Sequence, residues 1–420
     1  MMKPLMALAA TTALITPAFA DAPTTGAVLD SYSDLAEAGY SDALDTAEAL
    51  QGAVDALIAA PSDTTLAAAK AAWVAARVPY LQTEVFRFGN PIVDAWEGRV
   101  NAWPLDEGLI DYVDMHSAAV NEENDLALLN VIANPKITIG GAEVDATEIT
   151  PELLGGTLHE AEGIEANVAT GYHAVEFLLW GQDLNGTDAG AGARPYTDFV
   201  TGDGCTHDNC DRRAAYLKAA TDLLVADLSE MAANWTADGA ARAAIEADPK
   251  AGIAAILTGM GSLSYGELAG ERIKLGLMLH DPEEEQDCFS DMTHLSHYYD
   301  GLGIRNIYEG RYTRTDGTVV AGPSLSDLVK AADPAVDAQL RSELDASVAA
   351  LAEMKAAAEG GMAFDQMLAM GNDRGAAIIN KAVDALVVQT RSIERAVAAL
   401  GGEIEVEGSD SLDNPNAVFQ

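Results

Sequence analysis

The chain has 420 residues, and its 66 acidic residues outnumber its 24 basic ones, which gives a formal net charge of −42. So negative a chain is repelled by nucleic-acid phosphates and by anionic membrane surfaces, which argues against both as partners, and it favours cationic ligands such as metal ions or basic peptides. Because 49% of the residues are hydrophobic and only 6% are aromatic, the composition is typical of a folded helical protein rather than of a disordered acidic chain.

The first 20 residues have the pattern of a secretory signal peptide. Lys3 precedes a short apolar stretch over residues 5–15, and residues 18–20 (AFA) form a small-x-small cleavage site. No later stretch reaches the ~18 consecutive apolar residues of a membrane span. We therefore expect cleavage after Ala20, export to the periplasm, and no membrane insertion of the mature protein.

Apolar residues recur at helical spacing along most of the remaining chain, which predicts an all-α fold. Pro61 ends the first predicted helix, and Pro79 is expected to kink the second. Strand-like alternation is confined to two short stretches, residues 136–143 and 318–320. The predicted helices cover residues 41–60, 62–88, 211–234, 250–280 and 386–400.

Long helices with apolar stripes suggest bundles, and a chain of this length is too long for one simple four-helix bundle. We therefore expect two helical-bundle domains after the signal peptide, an N-terminal one over residues 21–165 and a C-terminal one over residues 166–400. The acidic residues 401–420 are expected to form a loose tail.

Export permits disulfides, and the chain has three cysteines. Cys205 and Cys210 lie five residues apart in a loop rich in Gly and Asp, so we expect a local disulfide between them. A metal knuckle that includes His207 is the alternative, but it needs further ligands, and Cys288 is the only other thiol.

Two helical stripes carry acids where an apolar residue is expected. Glu84 continues the apolar face of the second helix, and Glu267 continues that of residues 250–280, with Glu271 one turn later. A buried carboxylate is costly unless it is paired or bound to a metal. Nearby arginines, Arg87 and Arg272 among them, allow buried salt bridges, whereas inward acids on two helices also suggest a shared cation site.

His173 and Glu176 lie one helical turn apart on a strongly apolar segment, so both side chains can donate to one metal ion. The spacing alone is weak evidence, because His159 and Glu162 show it too, and such pairs are more often surface pairs or satisfied core histidines. The segment also lacks the His-Glu-x-x-His of zinc proteases and the doubled Glu-x-x-His of di-iron bundles.

Asp291, His294 and His297 follow at positions i, i+3 and i+6. If this segment is helical, the three side chains share a face and can support metal binding. The alternative is a polar loop that caps the helix ending near His280, or a supporting role beside the metal.

Several of these segments together resemble imelysin-like proteins. Residues 171–176 (GYHAVE) are similar to the G-x-H-x-x-E signature of that family. The runs over residues 84–113, 165–187, 267–273 and 284–310 resemble its iron-regulated branch, so the likeness spans most of the mature chain. The resemblance implies two all-α domains related by duplication, with a site in the cleft between them around His173 and Glu176.

The resemblance implies that His173 and Glu176 bind a metal ion in iron regulation or periplasmic iron uptake. We add Glu84, Asp106 and Glu267 as candidate ligands, because they are inward acids or lie in the resembling runs. Arg87 is expected to orient the carboxylates. Other residues expected around the ligands are Tyr172, Glu271, Asp291 and His294.

The leading interpretation is a periplasmic protein that binds iron for uptake and works with an iron-transport component of the inner or outer membrane. One imidazole with several carboxylates suits iron, and zinc or calcium are compatible too. The alternative is a metallopeptidase of the imelysin type, in which Glu176 is a ligand or the general base. A third interpretation is a scaffold, or a haem- or siderophore-binding module whose pocket is lined by Tyr172 and Trp180.

Overall fold

The computed structural model describes residues 22–114 and 124–419, and the signal peptide predicted over residues 1–20 lies outside this part of the chain. The described residues form an all-α fold with two small antiparallel sheets. The α-helices are α1 (Thr25–Ala59), α2 (Asp63–Leu81), α3 (Pro91–Asn101), α4 (Glu107–Ile110), α5 (Pro151–Leu153), α6 (Gly171–Trp180), α7 (Cys210–Asn234), α8 (Ala240–Glu246), α9 (Pro249–Ser262), α10 (Gly276–Leu279), α11 (Thr293–Glu309), α12 (Leu325–Ala332), α13 (Pro334–Glu359), α14 (Phe364–Leu368), α15 (Asp373–Ala399) and α16 (Asp410–Asp413). The strands are β1 (Lys136–Ile139), β2 (Ala142–Asp145), β3 (Arg311–Thr313) and β4 (Val319–Ala321).

Tighter and wider helical turns complete the secondary structure. The 3₁₀ turns are Glu84–Phe86, Ala161–Gly163, Tyr196–Phe199, Gly202–Gly204, Pro282–Glu284 and Ala417–Phe419. The π-helical segments are Leu154–Leu158 and Leu263–Leu275, and the second continues directly from α9.

The first two helices begin where side chains satisfy their free backbone amides. Thr24 caps α1 by accepting from the amide of Ala27, so this helix begins well before the predicted start at residue 41. Ser62 and Thr65 form a reciprocal capping box at the start of α2, close to the predicted start. Pro79 lies near the end of α2, where its missing amide interrupts little of the helix.

The long helices pack as two groups of four. In the first group α1 and α2 pack against α6 and α7; in the second, α9 with its π-helical continuation packs with α11, α13 and α15. Both α6 and α7, which follow residue 165 in the chain, lie beside α1 and α2, and the domain bounds stay a prediction. A single buried apolar cluster runs from Val28 to Val397 through both groups, and α2 contacts α11 across them. The proposed duplication stays a prediction.

An aromatic cluster fixes the segment that carries Glu84. Phe86 contacts the rings of Tyr32 and Trp235 at centroid distances of 4.8 and 5.5 Å, and Tyr40 packs edge-on against Trp96 at 5.8 Å. Such pairs add about 0.5–1.5 kcal/mol each beyond the apolar area they bury. The turn after α2 is therefore held rigidly against α1, with Glu84 pointing into the protein.

The C-terminal segment, expected to be loose, packs against the π-helix over Leu263–Leu275. Ser409 and Ser411 are buried, and the Ser411 hydroxyl donates to the carbonyl oxygen of Gly270 at 2.9 Å. Two glycines leave the room for it, because a Cβ on Gly266 would lie 2.7 Å from the carbonyl oxygen of Glu407, and one on Gly270 would lie 2.3 Å from the Cβ of Ser409. Small side chains on one helix face thus create the docking groove.

Within residues 22–114 and 124–419, none of the helices combines the length and the hydropathy that a bilayer-spanning segment needs.

Both strand-like stretches of the sequence form hairpins, β1–β2 and β3–β4. The second hairpin is attached to α1 through Asp42, which is buried. One carboxylate oxygen of Asp42 accepts from Arg314 Nε and Nη2 at 2.9 and 2.6 Å, and the other accepts from the Tyr312 hydroxyl and the Thr315 amide at 2.9 Å each. One carboxylate on α1 therefore satisfies four donors of the hairpin.

We expect Asp42→Ala to lower the free energy of unfolding by about 2–3 kcal/mol, because it leaves buried donors of the hairpin without an acceptor. Asp45→Ala is the matched control, since Asp45 is exposed and its carboxylate lies 4.0 Å from Arg314, at the limit of an ion pair. This substitution should change the free energy of unfolding by less than about 0.5 kcal/mol. Urea denaturation followed by circular dichroism measures both, and equal effects would contradict the role of Asp42.

Candidate metal centre

The buried helix α6 begins at a position that only glycine can occupy. Gly171 has φ of +79°, and a Cβ there would lie 2.4 Å from the carbonyl oxygen of Val100. The absence of a side chain lets α6 approach the end of α3 closely. From α2, the Trp73 indole donates to the carbonyl oxygen of Tyr172 at 2.9 Å. These contacts set the position of the two polar residues that follow.

His173 and Glu176 lie one turn apart on α6, with 1% and 0% of their surface exposed. His173 Nδ1 and Glu176 Oε2 are 3.0 Å apart. The other oxygen of Glu176 accepts two hydrogen bonds from Ser290, from its amide at 3.0 Å and from its hydroxyl at 2.7 Å. The orientation of the carboxylate is thus fixed from a different part of the chain.

Asp287 brings a third potential ligand to this pair. Its Oδ1 lies 3.8 Å from His173 Nδ1, and one ligand atom from each of the three residues lies within 4.8 Å of the other two. In the part of the chain that the structure describes, no other group of His, Cys, Asp or Glu residues meets this criterion. The start of α11 holds Asp287, because the Asp287 amide donates to the Thr293 hydroxyl and the Ser296 hydroxyl donates to Asp287 Oδ2.

Arg77 of α2 is the cation that faces this group. Its Nη2 lies 3.0 Å from Asp287 Oδ1, its Nη1 donates to the Asn101 side chain at 2.6 Å, and its guanidinium carbon lies 5.1 Å from the ring centroid of Tyr172. The ring of Tyr172 therefore packs against Arg77, the cation that faces the group. A single arginine opposes two carboxylates, so the group retains an excess of negative charge when both are ionised.

The electrostatics of the two α6 residues suit a metal ion. Burial, with the positive charges of Arg77 and Arg272, holds the pKa of His173 well below its usual range, so the imidazole is neutral and has a free lone pair. Burial and the charge of Asp287 raise the pKa of Glu176 well above its usual range. His173 Nε2 is buried without a hydrogen-bond partner among the described residues. A cation held by the three side chains would relieve this repulsion, and one nitrogen with carboxylate oxygens is a donor set for iron, manganese or zinc.

A cavity of about 180 Å³ reaches His173 and is lined in part by Asp106 and Glu285. Asp106 is at the N-terminus of α4, its Oδ2 accepts from the Asn124 side chain, and partial burial raises its pKa. The structure therefore places Asp106 in the wall of the cavity and not with the three clustered side chains.

Glu84 and Glu267 lie in a separate network around buried Arg272. Arg272 Nη2 lies 2.5 Å from Glu84 Oε2 and 2.7 Å from Glu267 Oε1, and its Nη1 lies 3.0 Å from Asp300 Oδ2. For Glu84 and Glu267 the geometry therefore shows salt bridges, the first of the two alternatives that the sequence left open. Winding of the π type explains the pairing, because it stacks positions i and i+5, which Glu267 and Arg272 occupy.

Arg87 and Glu271 lie on the outer side of that network. Arg87 Nε donates to Asp94 at 3.0 Å, and its Nη1 lies 3.4 Å from Glu97 and 3.9 Å from Glu267. Among the described residues, the ion pairs of Arg87 are therefore with Asp94, Glu97 and Glu267 and not with His173 or Glu176. Glu271, Glu267 and Arg87 line an open groove of about 640 Å³.

Asp291 and His294 stabilise a turn and do not join the group around His173. Asp291 precedes α11 with φ of +57°, and its carbonyl oxygen lies 3.1 Å from His294 Nδ1. His297, the third member of the predicted set, is buried with its ring against Phe364 and its Nδ1 3.4 Å from Met354 Sδ. The assumed helical register fails here because α11 begins only at Thr293.

Asp287 and Ser290 are the residues that sequence reasoning missed. Both lie in the run over residues 284–310 that resembles the imelysin-like proteins, which was the available signal. Neither lies in a helix, so no periodicity could relate them to α6.

Cys205 and Cys210 form a disulfide, with their Cα atoms 5.9 Å apart. The metal-knuckle alternative does not hold, because His207 Nδ1 bonds to Asp198 Oδ1 at 2.6 Å and its ring stacks on Tyr112. Cys288 is a free thiol and lies in the wall of the cavity that reaches His173.

A family model matches most of the chain, and solved structures share its fold. The model of the imelysin family matches residues 36–393. A solved structure from Parabacteroides distasonis, described as an iron-regulated protein A precursor, is similar with a TM-score of 0.62 and 20% identity over 90% of this chain and 96% of that chain. An imelysin-like protein from Psychrobacter arcticum is similar with a TM-score of 0.56 and 16% identity over 92% and 99% of the two chains. At these identities the two structures establish the fold alone, and none of the curated proteins matches.

We expect Gly171→Ala to destabilise the protein by at least about 2 kcal/mol, because the methyl group would require both a left-handed backbone and displacement of the Val100 carbonyl. Gly52→Ala is the control: Gly52 is an exposed residue within α1 with open space around it, and the change should stabilise by about 0.5–1 kcal/mol. Chemical denaturation measures the change in the free energy of unfolding for both variants. A Gly171→Ala variant as stable as the wild type would contradict the close approach.

Proposed function

This chain belongs to the imelysin family, and we propose on that premise that it is an exported protein that binds iron through His173, Glu176 and Asp287 for iron uptake or homeostasis. The observation that carries the proposal is the buried group of one imidazole and two carboxylates opposed by a single arginine. Without a bound cation, two carboxylates this close in a dry environment repel each other.

Iron is the metal that the donor set and the relatives favour together. Imidazole with carboxylates suits iron, manganese and zinc, and the absence of thiolate from this group argues against a site for soft metals such as copper(I). Zinc and calcium remain the alternatives on chemistry alone. The similar structure described as an iron-regulated protein A precursor supports iron.

Export to the periplasm is part of the proposal and rests on the pattern of residues 1–20. A protein that holds iron there needs a membrane component that delivers or removes it, so we propose an iron-transport protein of the inner or outer membrane as partner. The formal charge of −42 would help to attract the cation from solution.

Peptide hydrolysis, the alternative for this family, receives less support from the geometry. A metallopeptidase needs an open coordination position, a general base and room for a peptide. Here Glu176 is engaged by His173 and Ser290 on its two oxygens, and the cavity of about 180 Å³ is smaller than the ~300–1,000 Å³ typical of small-molecule sites. The same size argues against haem or a siderophore, so a single ion is the favoured ligand.

We expect the wild-type protein to retain about one iron ion per chain after chelator-free purification, and Asp287→Asn to weaken iron binding by at least about 100-fold. The amide keeps the size of the side chain and removes the charge that would bind the metal. His173→Ala combined with Glu176→Ala should abolish binding. Elemental analysis and competition with a calibrated iron chelator give stoichiometry and affinity.

Glu267→Gln is the matched control, because it also neutralises an inward acid but lies in the Arg272 network. It should keep the wild-type iron affinity, even if it lowers stability. Thermal unfolding of each variant separates a folding defect from loss of the site. Iron binding that survives in the folded His173/Glu176 double variant, or that depends on Glu267 and not on Asp287, would overturn this proposal.

A further inference from the structure

Arg77 contacts the oxygen of Asp287 that a metal ion would use. Asp287 Oδ1 lies 3.0 Å from Arg77 Nη2 and 3.8 Å from His173 Nδ1, whereas Oδ2 accepts from the Ser296 hydroxyl. The contact with Arg77 lacks the geometry of a hydrogen bond, because Oδ1 is buried without a hydrogen-bond partner among the described residues. Asp287 Oδ1 therefore has a free lone pair for a cation, and a cation bound to it would have the guanidinium group as its neighbour.

The guanidinium of Arg77 is fixed beside Asp287. Arg77 is only 1% exposed, and it donates to the Asn101 side chain at 2.6 Å and to the Ser296 hydroxyl at 3.3 Å. Its guanidinium carbon also lies 5.1 Å from the ring centroid of Tyr172. Because these contacts hold the side chain, Arg77 stays in place when a cation arrives. A guanidinium keeps its charge even in a buried site, so that charge acts on the bound ion.

The repulsion between Arg77 and a bound ion depends on the charge of the ion. Coulomb energy is proportional to the product of the two charges, so at the same position it is about 1.5 times as large for a trivalent as for a divalent ion. Water screens this repulsion little, since His173, Glu176 and Asp287 are each at most 1% exposed. Carboxylates attract a trivalent ion more strongly in the same proportion, and Arg77 shifts that balance toward the divalent ion.

We propose that Arg77 is a specificity-determining residue, which makes the group of His173, Glu176 and Asp287 prefer a divalent over a trivalent cation. The inference rests on the proposed function and deepens it, because it assigns ferrous rather than ferric iron to the group. Two ionised carboxylates and one guanidinium leave a single negative charge. A divalent ion then creates an excess of one positive charge and a trivalent ion an excess of two, and uncompensated charge is costly in a buried site.

Competitive titration of the mature chain with Mn²⁺ and with Ga³⁺, in the presence of a calibrated chelator, tests the role of Arg77. We expect Arg77→Gln to raise the ratio of Ga³⁺ to Mn²⁺ affinity at least about tenfold, because glutamine removes the charge and keeps a hydrogen-bond donor. Arg77→Lys retains the charge, so its ratio should stay closer to that of the wild type. Arg87→Gln is the matched control, because it removes the same charge beside Glu267; it should change the ratio less than about twofold.

Bound iron gives an independent measurement of the same preference. A tenfold change in the ratio of trivalent to divalent affinity corresponds to ~59 mV for a one-electron couple. The reduction potential of iron bound to Arg77→Gln should therefore be lower than that of the wild type by at least about 59 mV, whereas iron bound to Arg87→Gln should keep the wild-type potential.

Thermal unfolding shows whether each variant is folded. If Arg77→Gln does not fold, the wild type is compared with a small chelator that offers one imidazole and two carboxylates without a neighbouring cation. The wild type should favour Mn²⁺ over Ga³⁺ at least about tenfold more than this chelator does. Equal ratios in wild type and folded Arg77→Gln, or in wild type and the chelator, would overturn the role of Arg77 and leave iron binding intact. A wild-type chain that binds none of these metal ions would instead overturn the proposed function, and this inference with it.

Discussion

The ion pair between Arg77 and Asp287 is the contact on which the inner group, formed by His173, Glu176 and Asp287, depends. Arg77 lies on α2 in the first helix group, and Asp287 precedes α11 in the second, with 3.0 Å between Nη2 and Oδ1. Removing two such charges from water costs several kcal/mol per ion, and good geometry with extra hydrogen bonds is required to offset it. Asn101 and Ser296 supply those bonds to Arg77. The pair therefore holds Asp287 opposite His173 as long as the two groups stay packed.

A second buried arginine explains why the inward acids divide into two populations. Arg272 pairs with Glu84, Glu267 and Asp300 within one compact network. Asn101 links that network to Arg77, because its amide nitrogen donates to Glu84 while its oxygen accepts from Arg77. Each of these three carboxylates has an ion-pair partner in Arg272, although Asp300 Oδ1 is buried without a hydrogen-bond partner among the described residues. In the inner group only Asp287 pairs with Arg77, while Glu176 lies beside the neutral imidazole of His173, and this combination of donors is what makes the position suitable for a cation.

The sequence was informative where periodicity is regular and failed where the backbone departs from the α-helix. Apolar stripes predicted the all-α fold, and the pair His173/Glu176 was found because α6 is a regular helix. Glu267 was misplaced because α-helical spacing was extended beyond Ser262, where π-helical winding begins and brings Arg272 onto its face. Asp287 was missed because a turn has no period from which its direction could be derived. Pairing between distant segments, as for Ser290 with Glu176, is a property of tertiary structure that no local pattern encodes.

The large negative charge now has a spatial interpretation. Most of the acids are exposed, and because salt screens the interactions of exposed charges, these acids contribute little to any one site. The inner group is dry, and its few charges act at short range through a low dielectric. Between the two lies the cavity of about 180 Å³ that reaches His173, in whose wall Glu285 is buried but Glu283 is still exposed. Negative charge thus becomes less hydrated from the surface toward His173. If a cation binds at the inner group as proposed, such a gradient would let it exchange water for carboxylate oxygens step by step, which would lower the cost of dehydrating it before it reaches the buried imidazole.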